Sequence, residues 1–303
     1  MGLFGHVKRV ILIALFLFFP QVLQSAEPAS DFVCPKPTEE LPNTSRSKVY
    51  DGAPFRPGEE ARYELKYGGL KILVGYGFLR VGKPQRHGIA VRSNSDAQIE
   101  RKRLWHRVFK AEAYTGDWYR YVFRGHDKML ALSRPWNFAV SKFYLDQDEE
   151  KPFVRKTRLE KWIDFDHFSC EVREKVLDHQ KDSETHEVNR LIPGAVDVLG
   201  AFYKLRTYSF DNMKKVRFQV FSSGKTWWLE AHPVKREKVT VNAGTFDATK
   251  LKMVTFLGKE MQQKGDLNIW IATKHPHRPI VKIEGEVTFG SIYLLLDKFT
   301  PSF

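Results

Sequence analysis

The sequence predicts a mainly β protein: a strongly curved antiparallel sheet, or an open barrel or roll, with one or two helices packed on or in it. Three observations carry this. In "VRFQV", Val216, Phe218 and Val220 fall on one face and Arg217 and Gln219 on the other, the period of two that a half-buried strand requires. Runs rich in β-branched and aromatic residues recur along the chain with turn residues between them, the spacing of antiparallel sheets. Glycines break these runs from within, at Gly68-Gly69, at Gly75 and Gly77, and at Gly285 and Gly290, where a missing side chain marks a bulge or sharp bend.

The elements follow in order. Lys8 and Arg9, an apolar run from Val10 to Phe19, then Pro20, Ser25 and Ala26 read as a secretory signal over residues 1–26. The run is shorter than the ~20 residues a spanning helix needs. Residues 27–54 hold Pro28, Pro35, Pro37, Pro42 and Pro54 without an apolar period and read as an extended arm, with order expected from about Glu59. Residues 55–303 then form one β-rich domain, its part from about 100 to 190 enlarged and basic. Two stretches carry helical spacing. In "IPGAVDVLGAFYKLRTY" the stripe is Val198, Leu199, Phe202 and Leu205; in "IERKRLWHRVFK" it is Leu104, Trp105, Val108 and Phe109. "DQDEE" (146–150) reads as an acidic turn and "KVLDHQKDSETHEVN" (175–189) as a charged loop. "NAG" (242–244) is a hairpin signal. No later segment is apolar and long enough to span a membrane.

A formal charge of +13 would suggest nucleic acid in a cytoplasmic protein. Beyond the inner membrane nucleic acid is not expected. The anions there are lipid phosphates, lipopolysaccharide and wall polymers, so the expected partners are a lipid, lipopolysaccharide or an envelope protein. Cys34 and Cys170 are the two cysteines. An oxidising compartment permits a disulfide between them, and two free thiols are the alternative.

Few motifs carry chemistry. His275 and His277 in "IATKHPHRPI" would share a strand face and could reach one zinc. Pro276 and Pro279 beside them favour a turn between two strands, no third ligand is fixed by spacing, and no metal or other cofactor is expected. "SSGKT" (222–226) mimics the end of a phosphate loop, but Gln219 stands where that pattern needs glycine. Asp164 and Asp166 in "WIDFDHF" share a face if the segment is a strand, and with Glu237 they are the candidate acid–base carboxylates. Arg101, Lys102, Arg103, Arg107 and Lys110 would lie mostly off the apolar stripe of their segment and could meet anionic surfaces.

Four blocks in order, "FRPGEEARYELKYGGLKILVGYGFLRV", "PGAVDVLGAFYKLRT", "REKVTVNAGTFDATKLK" and "LNIWIATKHPHRPIVKIEGEVTFGSIYLLL", resemble a bacterial exported family, domain of unknown function 3108. The matching features are Pro57-Gly58-Glu59, Tyr63, Gly75, Asp197, Tyr203, Arg206, Glu237, Gly244, Trp270, Arg278, Pro279, Phe289 and Gly290. The resemblance implies an exported fold with a strongly curved antiparallel sheet. It offers no catalytic residues to carry over.

The function expected is therefore that of a periplasmic or secreted, non-enzymatic binding or assembly protein. Its curled sheet would shelter a lipid-like or lipoprotein ligand, with Trp227, Trp228 and Trp270 lining the cleft and Tyr203 and Arg206 at its mouth. The alternatives are an envelope enzyme acting on wall or surface glycan through Asp164, Asp166 or Glu237, and a scaffold holding a partner with its proline-rich arm.

Overall fold

The structure, a computed structural model, describes Cys34 and residues 45–92, 99–121, 123–151, 155–258, 260–261, 266–287 and 290–302. The signal segment and most of the arm lie outside these residues, as does Phe289. β1 (Glu60–Tyr67) pairs on one side with β2 (Ile72–Arg92) and on the other with the last strand, β15 (Gly290–Thr300). From β2 the chain meanders through β3 (Ile99–Thr115), β4 (Arg124–Ser133), β5 (Val140–Lys151), β6 (Arg155–Asp166), β7 (Glu171–Asp178) and β8 (Ser183–Arg190). On the other flank lie β14 (Ile280–Val287), β13 (Leu267–Ile271), β11 (Gly244–Leu257), β10 (Lys225–Val241) and β9 (Val216–Ser222), with the short β12 (Glu260–Met261) beside β11. The result is one antiparallel sheet running from β8 to β9.

This sheet curls until its edges meet. After β8, residues 191–196 reach β9, where Val196 and Val220 form a parallel bridge closed by Val196 N–H to Gln219 O (3.0 Å) and Phe221 N–H to Val196 O (2.8 Å). Bulges supply curvature. One lies between Leu65 and Lys66, opposite Gly75, where an added Cβ would meet the Tyr114 carbonyl at 2.3 Å; the backbones approach so closely that only glycine fits. Another falls between Gly82 and Gln85 and leaves Pro84 out of the ladder, where a residue without an N–H costs least.

Inside the curl lies α1 (Val198–Leu205). Asp197 caps it, its Oδ1 accepting from the amides of Leu199 (2.8 Å) and Gly200 (3.0 Å). Apart from Lys204 every α1 residue is buried, as expected of a helix enclosed on all sides. Tyr203 stacks on Phe109 of β3 with centroids 4.0 Å apart, and Phe55 meets Tyr203 edge-on at 5.1 Å.

Four expectations are corrected. The basic segment 101–110 is strand, not helix: a short apolar run carries both periods, and pairing with β2 and β4 selects the extended one. The "DQDEE" residues continue β5, and 175–189 form most of the β7–β8 hairpin. The arm does not stay extended up to Glu59. A 3-10 turn at Arg46–Lys48 leads into Val49, Tyr50, Ala53 and Phe55, all buried in the core. Of the two alternatives open for Cys34 and Cys170, by contrast, the disulfide is the one that forms, with Cα atoms 5.9 Å apart.

Candidate functional site

The polar centre of the molecule is a buried ion pair that links the helix to the first strand. Arg206, directly after α1, donates through Nη1 and Nη2 to Glu59 Oε1 (2.7 Å) and Oε2 (3.0 Å). Its remaining donors reach the carbonyls of His277 (2.7 Å) and Arg278 (3.0 Å). Tyr63 donates to Ile280 O (2.9 Å) beside them, and burial raises the Tyr63 and Tyr203 hydroxyls well above the usual phenol range. The space lined by Tyr63, Phe202, Tyr203, Arg206 and Phe299 has about 0 Å³ that a water molecule could enter. Tyr203 and Arg206 are thus core residues locking the helix, not the mouth of a lipid cleft.

The other expected ligand residues divide. Trp227 is buried in the core and donates to Ser222 O (3.0 Å). Trp228 lies on the outer face of the sheet, with the Arg217 guanidinium 4.2 Å from its ring centroid. Trp270 is also on the outer face but covered, with Lys282 and Lys250 ammonium groups 4.2 and 5.0 Å from its ring. None of the three lines a common hollow, because alternation sends neighbouring tryptophans to opposite faces.

The candidate carboxylates hold structural posts. Asp164 and Asp166 do share a face of β6. Asp164 is exposed and faces Lys142 at 3.9 Å. Asp166 Oδ1 accepts from the amides of Phe168 (2.9 Å) and Ser169 (3.2 Å), closing the turn that carries Cys170. Glu237 stands on β10, far along the sheet. It accepts from Lys235 Nζ (2.8 Å) and Trp270 Nε1 (2.7 Å), and these donors hold its carboxyl below the usual range. A general acid needs the opposite shift. His275 and His277 lie in the β13–β14 turn, as the prolines predict, and burial lowers the His275 pKa. Among the described residues no cluster of three or more His, Cys, Asp or Glu is placed to hold a metal.

The basic segment is split by its strand geometry. Arg101, Lys102, Arg103 and Lys110 are exposed. Arg107 instead points inward, donating from Nε to Val49 O (2.8 Å) with its guanidinium 4.6 Å from the Phe138 ring centroid. Burial pulls its pKa down to about 10.

An outer cleft of about 300 Å³ opens beside Glu237, lined by Arg236, Glu237, Lys238, Asp247, Thr273 and Lys274. Glu237, flagged by sequence, is in its lining, while Trp270, which donates to Glu237, is not. No sequence signal shows that Lys274, in the histidine turn, joins Lys238 across it. A fully buried acid, Asp127 on β4, was also missed. Burial and the neighbouring Glu149 push its carboxyl up to about 8.

A disulfide-tied antiparallel roll curled around one helix defines the class: a β-barrel-like protein whose cross-link suits an oxidising, extracytoplasmic compartment. Within it, the chain belongs to the family described as protein of unknown function (DUF3108), which matches residues 62–297. A β-barrel-like protein of family DUF1849 from Brucella abortus has a similar fold: TM-score 0.51 at 10% identity, over 83% of this chain and 100% of that one. A candidate exported protein with a YmcC-like fold from Bacteroides fragilis aligns at 14% identity over 82% of this chain and 98% of that one, with TM-score 0.32. A candidate lipoprotein from Parabacteroides distasonis aligns at 13% over 82% and 98%, with TM-score 0.31. No functionally curated protein matches the chain.

Proposed function

We propose that this is a periplasmic, non-enzymatic binding protein of the envelope, and that it binds the anionic part of an envelope molecule in the cleft beside Glu237. The observation that carries this is the cleft itself: Arg236, Lys238 and Lys274 line it against Glu237 and Asp247, with Lys235 adjoining. Arg236 also donates to Asp211 Oδ1 (3.2 Å), which anchors its stem and leaves the two lysines as the mobile cations. Lysines on flexible stems suit phosphate as point charges. The version of this function that shelters a lipid inside the roll loses its support, because α1 and residues 49–55 occupy the space it would need.

Titration with deacylated, phosphate-bearing lipopolysaccharide tests the reading without any acyl chain. The intact protein should bind it, and the Lys238→Glu, Lys274→Glu double variant should bind at least about tenfold more weakly, the scale of losing charge-assisted contacts. Glu237→Gln should keep binding. Equal binding by the double variant would refute the cleft, and sugar release that vanishes in Glu237→Gln would favour the enzyme instead.

A further inference from the structure

The end of the roll opposite the cleft carries a different surface. There the β1–β2 turn exposes Leu70 (89%) and Ile72 (45%), and the β3–β4 connection exposes Trp118 (52%) and Tyr121 (75%). These loops are neighbours: Gly116 N–H donates to Val74 O at 2.9 Å, and Gly75 pairs with Thr115. Met261, also exposed, extends the same rim beyond β11. Isolated exposed apolar residues are ordinary, but four large ones at the tips of two adjoining loops are not.

Cations accompany them. Lys71 lies between Leu70 and Ile72, its Nζ 5.1 Å from the Tyr293 ring centroid. Arg120 sits between Trp118 and Tyr121 and faces Asp117 at 3.7 Å, and Arg124 faces Glu150 at 3.6 Å. Both of these pairs are solvent-exposed, so each holds its arginine only weakly. The charge of the whole chain, +13, adds attraction at longer range.

We propose that this end of the roll docks on the surface of an anionic lipid bilayer. Leu70 and Ile72 enter the acyl boundary, Trp118 and Tyr121 sit at head-group depth, and Lys71, Arg120 and Arg124 meet the lipid phosphates. Indole and phenol rings favour that depth because one end is apolar and the other polar. A protein partner would need matching pockets for side chains that project separately from two turns. A fluid interface needs none, and the interleaved cations complement lipid phosphate. Cys34 is tied to the turn at Cys170, which lies at the other end of the roll.

The test is flotation of the full exported chain, disulfide intact, with phosphatidylcholine vesicles made with and without phosphatidylglycerol. Binding is expected to the anionic vesicles, weakening as salt is raised. Leu70→Ser, Trp118→Ser and Tyr121→Ser together should reduce it more than about tenfold, from the lost apolar transfer alone. Lys71→Glu with Arg120→Glu should reduce it for anionic vesicles only. An unchanged thermal melt shows that these surface variants fold. In the protein carrying all other tryptophans as phenylalanine, Trp118 fluorescence should be quenched by brominated lipid. No vesicle binding, or binding that survives the triple serine change, overturns the proposal. Self-association abolished by the triple change, without lipid binding, would assign the rim to a second copy instead. Deacylated lipopolysaccharide binding in the cleft is read separately, so either idea can fail alone.

Discussion

Asp127 shows how much a single position depends on its surroundings. It has no exposed surface, and neither carboxyl oxygen makes a hydrogen bond of ordinary geometry. Burial, then Glu149, raises its pKa from 3.8 to about 8. Between those two values the folded state holds a proton that the unfolded state has lost. Stability from this group therefore falls as pH rises from about 4 to about 8 and is level beyond. Asp127→Asn should remove that slope: the variant should gain on the natural protein by up to a few kcal/mol at pH 8 relative to pH 4, read from urea denaturation at each pH. In the sequence Asp127 is indistinguishable from Asp146 or Asp148, since the face a carboxylate occupies depends on register and one residue of slip reverses it.

At the scale of elements, the helix is held by chemistry rather than by its own propensity, because a helix of two turns is marginal alone. Asp197 caps its start, and Arg206 at its end is pinned to Glu59 and two carbonyls. Breaking a buried pair leaves an uncompensated charge, so Arg206→Met should cost about 3–5 kcal/mol in chemical denaturation. The Glu59→Leu, Arg206→Met double variant should cost clearly less than the two single changes summed. Sequence located this helix from Val198, Leu199, Phe202 and Leu205, and its resemblance blocks contained Glu59, Tyr63, Tyr203, Arg206 and Arg278 without showing that they meet. It misread 101–110 because Leu104, Trp105, Val108 and Phe109 satisfy helical spacing while Val108 and its neighbours pair as strand. Helix and strand periods separate only over longer runs.

For the whole molecule, the Cys34–Cys170 bond closes a separation of 136 residues between the arm and the β6–β7 turn. Constraining so long a loop in the unfolded chain is worth up to roughly 5 kcal/mol in the chain-entropy account. Cys34→Ser with Cys170→Ser, or reduction, should lower the melting temperature and leave the roll assembled. An unchanged melt would mean that the arm adds no constraint. Charge is distributed at this scale too: basic residues line the cleft at one end, among them Lys238 and Lys274, and Lys71, Arg120 and Arg124 stand among the exposed apolar side chains at the other.

Sequence by itself determined the β class, the curl, the helix at Val198–Leu205 and the turn at His275 and His277, since alternation, glycine breaks and turn chemistry are local properties that each residue carries with it; the family was legible only through four blocks that resemble it. Only the tertiary structure decided that the interior is filled, that Arg107 and Asp127 point inward, that the two cysteines pair and that exposed apolar tips gather at one end. Those depend on which distant strands become neighbours and in what register, and free energy that comes from long-range packing leaves no short-range trace in the chain.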